Sequence, residues 1–167
     1  MGLSRLTGLR LLEIVGPNHL KKECTGWFGI RELDQGECDL VRPPAPCLTI
    51  TMDHIDRHGI VASIDRFDAW MRQHGCQNLW VSFDVDALDP IFAPGTGTAV
   101  RGGLNYREAH LAAELLREKL DTSDCPYKMV GLDLVEVNPI RDNTNMTALV
   151  TVEWAADLFG KTILGKR

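Results

Sequence analysis

Apolar residues along the chain alternate between strand-like and helix-like spacing. Residues 25–31 gather Trp27, Phe28 and Ile30 into a compact run that predicts a strand. Polar residues 31–37 then read as a loop. Pro43, Pro44 and Pro46 exclude regular structure before 47–52, which alternates like a second short strand. Residues 53–59 are polar and turn-like. Ile60, Ile64, Phe67 and Met71 recur at helical spacing, with Gly75 placed to stop the helix. Leu79 to Phe83 form a short run of strand-forming residues, expected to be buried and central. Asn105 can cap the next helix with Glu108 completing a capping box, and Leu111, Leu115 and Leu116 would form its buried face. Residues 128–137 predict another strand, and 146–159 a final helix that begins after Asn143 or Asn145 and closes at Gly160. Near the start, 11–15 fits either a short helix or a frayed strand.

Strands alternating with helices predict an α/β fold, a three-layer α/β/α sandwich with a mostly parallel sheet. At 167 residues, 44% hydrophobic and 25% charged, a single domain over 1–167 is expected. The net charge of −5 gives no electrostatic support for binding nucleic acid or an anionic membrane. No segment has the length and apolarity of a membrane span. The five cysteines, Cys24, Cys38, Cys47, Cys76 and Cys125, form no CxxC pattern, so neither a zinc cluster nor a disulfide framework is indicated and a reducing, cytoplasmic setting fits.

Ligands of such sheets bind beyond the carboxyl ends of the strands. Acidic residues gather at three of those ends: Glu32, Asp34 and Glu37 after the first strand, Asp84 and Asp86 after the central one, and Glu136 after the last. In extended backbone, side chains at i and i+2 project to one side, so Asp84 and Asp86 can address one point while Val85 packs the other way. Two adjacent anions call for a cation or a shared proton, and hard oxygen ligands suit magnesium, calcium or manganese. The plainer alternative makes Asp84 the cap of a turn and Asp86 the cap of the next element. His54 and His58 stand four apart, the spacing of helical metal ligands, but their polar surroundings read as solvated surface. His110 and His74 read as structural.

Downstream, Asp89-Pro90 forces a turn, and a glycine-threonine loop runs into paired glycines. The whole run SFDVDALDPIFAPGTGTAVRGGLNYRE, together with GIRELDQGE upstream and GLDLVEVNP downstream, resembles the ureohydrolase (arginase-agmatinase) family, most of all its arginase branch. The resemblance implies that Asp84 and Asp86 are ligands of a two-manganese centre. It further implies that Glu136 pairs with a guanidinium, as the catalytic-site carboxylate, and that Thr98 lines the same pocket. Glu32, Asp34 and Glu37 match positions that read the amino-acid end of L-arginine, with Glu32 standing where the family has aspartate. The implied reaction is hydrolysis of arginine, or of a related guanidino compound as in the agmatinase branch, with urea as product.

The family's GGDHS, DAHxD and HGxP segments, which carry the remaining metal ligands and a proton-shuttling histidine, have no counterpart here. The chain is therefore expected to correspond to the C-terminal half of an arginase-like domain, with an incomplete site and negligible activity alone. Loss of the central DAHxD strand should leave a gap or new pairings in the sheet, and a homo-oligomer or a complementing N-terminal half is the expected partner. Two other readings stay open. One is a catalytically inactive relative that joins or regulates ureohydrolase oligomers. The other is an unrelated divalent-metal enzyme such as a nucleotide-sugar transferase, although nothing in the sequence resembles a nucleotide pocket.

Overall fold

A computed structural model describes Ile14, Gly16 and residues 20–165. The ambiguous segment 11–15 lies, Ile14 apart, outside the described residues. The first strand, β1 (Gly26–Ile30), pairs in parallel with β2 (Leu48–Thr51), aligning Gly26 with Leu48 and Phe28 with Ile50. Between them runs a short helix, α1 (Gln35–Val41). The loop expected over 31–37 thus ends at Asp34. Its side chain accepts from the Glu37 N–H at 2.8 Å, while Glu37 Oε2 accepts from the Asp34 N–H at 3.0 Å. This reciprocal capping box starts the helix.

Helix α2 (Met52–Gln73) also begins earlier than the sequence pattern suggests. Residues 53–59, expected to be turn-like, are helical because Thr51 caps them, accepting from the His54 N–H at 3.3 Å, and because Met52 and Ile55 are buried. Gly59, at φ 79 and ψ 169, breaks the helix before it resumes toward Ile60 and Ile64. That backbone conformation suits glycine and strains other residues. The chain then forms β3 (Asn78–Asp84), α3 (Tyr106–Asp121), β4 (Lys128–Val135) and α4 (Met146–Leu158). The expected capping box of α3 is present, with Asn105 accepting from the Glu108 N–H at 2.8 Å and Glu108 from the Asn105 N–H at 2.8 Å. Its buried face is built mainly from Ala109, His110 and Ala113, with Leu111, Leu115 and Leu116 partly covered. At α4, Asn145 makes no side-chain cap bond. Asp142 caps instead, accepting from the Thr147 N–H at 2.6 Å.

Parallel pairing and the α/β class are as expected, but the strands divide into two two-stranded sheets, β1–β2 and β3–β4. Among the described residues neither β1 nor β3 has a backbone partner along its second edge. β3 is less covered than the sequence suggests: Asn78, Trp80 and Ser82 face solvent, Trp80 at 61% exposure, while Phe83 is buried.

Helix α3 packs against both α2 and α4, around a core that includes Ile50, Ile55, Ile60, Ile64, Phe83 and Trp154. Phe83 stacks on Trp154 with ring centroids 3.9 Å apart and planes 4° from parallel. The indole N–H of Trp154 donates to the Ala109 carbonyl at 3.0 Å, so its one polar atom is satisfied inside the core. Truncating a buried aromatic of this kind costs about 3–5 kcal/mol. The contact fixes the last residues of β3, and therefore the point where Asp84 leaves the sheet.

Candidate metal and substrate site

Asp84 ends β3 and caps the 3-10 turn Val85–Ala87, its Oδ1 accepting from the Asp86 N–H at 3.1 Å. The turn replaces the extended backbone expected at Asp86. The plainer cap reading of Asp84 is therefore correct as far as it goes, but Asp86 is turned toward the same side, while Val85 is fully buried as expected. Thr98 donates its hydroxyl to Asp86 Oδ2 at 2.5 Å. Glu136 follows β4 at φ 64, its charge reaches the Asp84 carboxyl, and a Cβ on Gly97 would lie 3.8 Å from its Oε2. Four sequence-predicted residues, Asp84, Asp86, Thr98 and Glu136, thus come together at the carboxyl ends of β3 and β4.

The cluster is electrostatically uncomfortable. Burial, then the charges of Asp86 and Glu136, push the Asp84 carboxyl up to about 6, against the lowering effect of the Asp86 N–H. A carboxylate held this way gains from a cation beside it. The side chains of Asp84 and Asp86 suit a hard divalent ion, but two carboxylates do not fill an octahedral coordination shell. Among the described residues no group of three or more His, Cys, Asp and Glu is arranged to hold a metal. The fit is partial.

The loop bearing Thr98 is fixed from several sides. The Leu104 N–H donates to the Ala87 carbonyl at 2.9 Å, and a Cβ on Gly103 would lie 2.6 Å from the Ala87 carbonyl oxygen, so only glycine fits that approach. Asp89 accepts from the Ile91 N–H at 3.0 Å and the Gly102 N–H at 2.8 Å, and these bonds hold its carboxyl below the usual range. Thr147 accepts from the Gly95 N–H at 2.7 Å. Arg31, which the sequence did not single out, spans the gap between the sheets. Its Nη2 donates to the Asp86 carbonyl at 2.5 Å, and its Nε and Nη2 donate to the Val100 carbonyl at 3.1 and 2.8 Å.

The acids after β1 behave differently. Asp34 and Glu37 close their capping box, and among the described residues no hydrogen bond or ion pair joins them or Glu32 to the cluster at Asp84. His54 and His58 pack their rings 4.5 Å apart on α2, with Arg66 near the His54 Nδ1 at 3.3 Å. Partial burial, Arg66 and His58 hold the His54 imidazole below its usual value. His110 is buried and bonded to Asp157, in agreement with a structural role.

A family model described as the arginase family matches residues 6–160. The chain belongs to the arginase family. Arginase of Staphylococcus aureus (strain MRSA252) is 40% identical over 167 residues, covering 98% of this chain and 52% of that protein. The solved arginase of Bacillus caldovelox superposes with a TM-score of 0.77 at 38% identity, over 86% of this chain and 45% of that one. A structure described as a hypothetical agmatinase from Burkholderia thailandensis gives 0.67 at 28% identity, over 83% and 38%. The arginase-family chain spans about half the length of the curated relatives it matches.

Proposed function

We propose that this chain carries one part of a ureohydrolase site that hydrolyses L-arginine to L-ornithine and urea, and that the site is completed by residues outside it. The observation that supports this reading is the convergence of Asp84, Asp86, Thr98 and Glu136 from two strand ends and one clamped loop. When bound, a manganese pair supplies Lewis-acid activation of water. Asp84 and Asp86 would hold one side of that pair, and the Thr98 hydroxyl fixes the orientation of Asp86. Arg31 holds the backbone of both the Asp86 turn and the loop, so the spacing between carboxylates and pocket is set before any ligand arrives. Glu136 is left to face the planar guanidinium, whose paired N–H groups match a carboxylate. Glu32, Asp34 and Glu37 are assigned to the amino-acid end of the substrate. Their carboxylates suit the cationic α-amino group of that end.

The open edges of β1 and β3 support a partner that supplies a strand, either a second copy or a complementing N-terminal half. The incomplete ligand set favours a second reading, in which the chain is catalytically silent and acts as an oligomer partner of a full-length ureohydrolase. All five cysteines are free thiols, which supports a reducing cytoplasmic setting, and among the described residues no helix is long and apolar enough to cross a membrane. Urea release separates the readings. The chain alone with manganese is expected to be inactive, and the chain mixed with a separately expressed N-terminal half of an arginase is expected to release urea. Stable association without urea, with Asp84 and Asp86 intact, would select the silent partner.

A further inference from the structure

The open edge of β2 borders a groove of about 430 Å³ that shares no residue with the acid cluster at Asp84. Among the described residues β2 has one neighbouring strand, β1, and the Leu48 N–H donates to the Thr25 carbonyl on that side at 3.2 Å. Successive peptide groups of a strand alternate in direction, so the N–H groups of Thr49 and Thr51 point to the other side. Both residues line the groove, and the Thr49 hydroxyl is buried without a hydrogen-bond partner among the described residues. Two cations stand in the same walls, Arg42 from the segment leading out of α1 and Arg66 from α2. Arg57, Arg72, Arg107 and Arg117 each pair with a carboxylate, whereas among the described residues neither Arg42 nor Arg66 does. The Arg66 guanidinium rests against the His54 ring, Nη1 to Nδ1 at 3.3 Å, a contact that leaves its charge without a counter-ion. No Asp or Glu lines the groove, although acids outnumber bases along the chain. Val41, Pro44 and Leu48 add apolar surface.

We propose that this groove binds the oxyanion, carboxylate or phosphate, of a small molecule with an apolar body. Its volume falls in the range of small-molecule sites. A guanidinium presents paired N–H donors that match either head group, and the edge N–H of Thr49 adds a donor that no strand uses. With two cations and no acid in the walls, the groove selects for negative charge. The apolar residues cover the rest of the ligand, which a bare inorganic anion would leave unused. None of the residues assigned to hydrolysis takes part, so the site stands whether or not that reading holds.

The test is an NMR titration of the isotope-labelled chain with benzoate and with phenyl phosphate at constant ionic strength, read at the Thr49 and Thr51 amides, with benzamide as the neutral control. At least one anion should bind with a Kd of about 1 mM or below, as a ligand of about ten heavy atoms allows. Whichever binds tighter identifies the head group, and benzamide should bind at least about tenfold more weakly than that anion. Arg42→Gln and Arg66→Gln, both at exposed positions, should each weaken anion binding about tenfold or more. Arg57→Gln, on the same helix as Arg66 but paired with Asp53, should leave it unchanged. Equal binding of benzamide, shifts that bypass Thr49 and Thr51, or anion binding unaltered by either groove substitution would overturn the proposal. So would an Arg42→Gln chain that melts earlier yet binds as tightly, which would assign Arg42 to the end of α1 alone.

Discussion

The strand ends of β1 and β3 both carry acids, yet they behave as opposites. After β1, Asp34 and Glu37 satisfy each other's backbone N–H groups and begin a helix. After β3, Asp84 faces Asp86 and Glu136, and its carboxyl is pushed up to about 6 by burial and by those charges. The number of carboxylates is similar in the two places. What distinguishes them is whether the structure has already supplied their counter-groups. Acids that find backbone donors are satisfied by the fold, whereas acids that crowd one another under partial burial store a demand for a cation.

The largest expected effect comes from removing that demand. In the complemented protein, Asp84→Asn combined with Asp86→Asn should lower urea release by at least about a hundredfold, since even residues that merely orient metal ligands matter by factors of 10–100. Manganese binding measured by calorimetry should fall with it, and unchanged binding would place the metal elsewhere. Next comes Glu136→Gln, which keeps the shape and removes the charge. Losing a charge-assisted pair with guanidinium is worth about 1.5–3 kcal/mol, so kcat/KM for arginine should fall about 10- to 100-fold while metal content stays constant. Unaltered kinetics would take Glu136 out of the pocket.

How far the sequence alone reaches follows the same division. The DxD pair, the glycine-threonine loop and Glu136 are close-set motifs with steric demands, such as the closeness of Gly103 to the Ala87 carbonyl, and the structure assembles them as a unit. Parallel pairing followed from the alternation of strands and helices. The split into two sheets was legible only as a missing segment, because unpaired edges have no local signature. Two helix starts were lost to polarity: residues 53–59 and Gln35 read as turns although Thr51 and the Asp34–Glu37 box were in view. Arg31 was missed because its partners are main-chain carbonyls, and carbonyls leave no trace in side-chain patterns.

Asp34 offers a way to sharpen the comparison at smaller scale. Asp34→Ala removes the cap acceptor of α1 and should cost about 1–2 kcal/mol in denaturant unfolding. If capping is its sole role, arginine and a guanidino compound lacking the amino-acid end should be turned over by the complemented variant in the same ratio as before. A KM increase confined to arginine would instead show that the residue reads substrate as well as starting the helix.

The smallest effect tests the acid crowding itself. Because the Asp84 carboxyl is raised in the fold, the folded chain holds its proton at pH values where the unfolded chain has released it. The residue's contribution to stability is therefore most favourable below about pH 4, and it is lost as pH rises toward and through about 6. Without metal, Asp84→Asn should thus be more stable than the unaltered chain at pH 7, by about 1 kcal/mol once solvent screening of this half-exposed group is allowed for. The two should converge near pH 4. Manganese ought to reverse the order at neutral pH, since the ion rewards the charged form that the bare cluster penalises. Melting curves at pH 4, 6 and 7.5, with and without manganese, measure all of this on one pair of proteins. An Asp84→Asn chain less stable than the parent at neutral pH in chelator would mean that the turn bond to the Asp86 N–H outweighs the repulsion, and that this end of the sheet resembles the other after all.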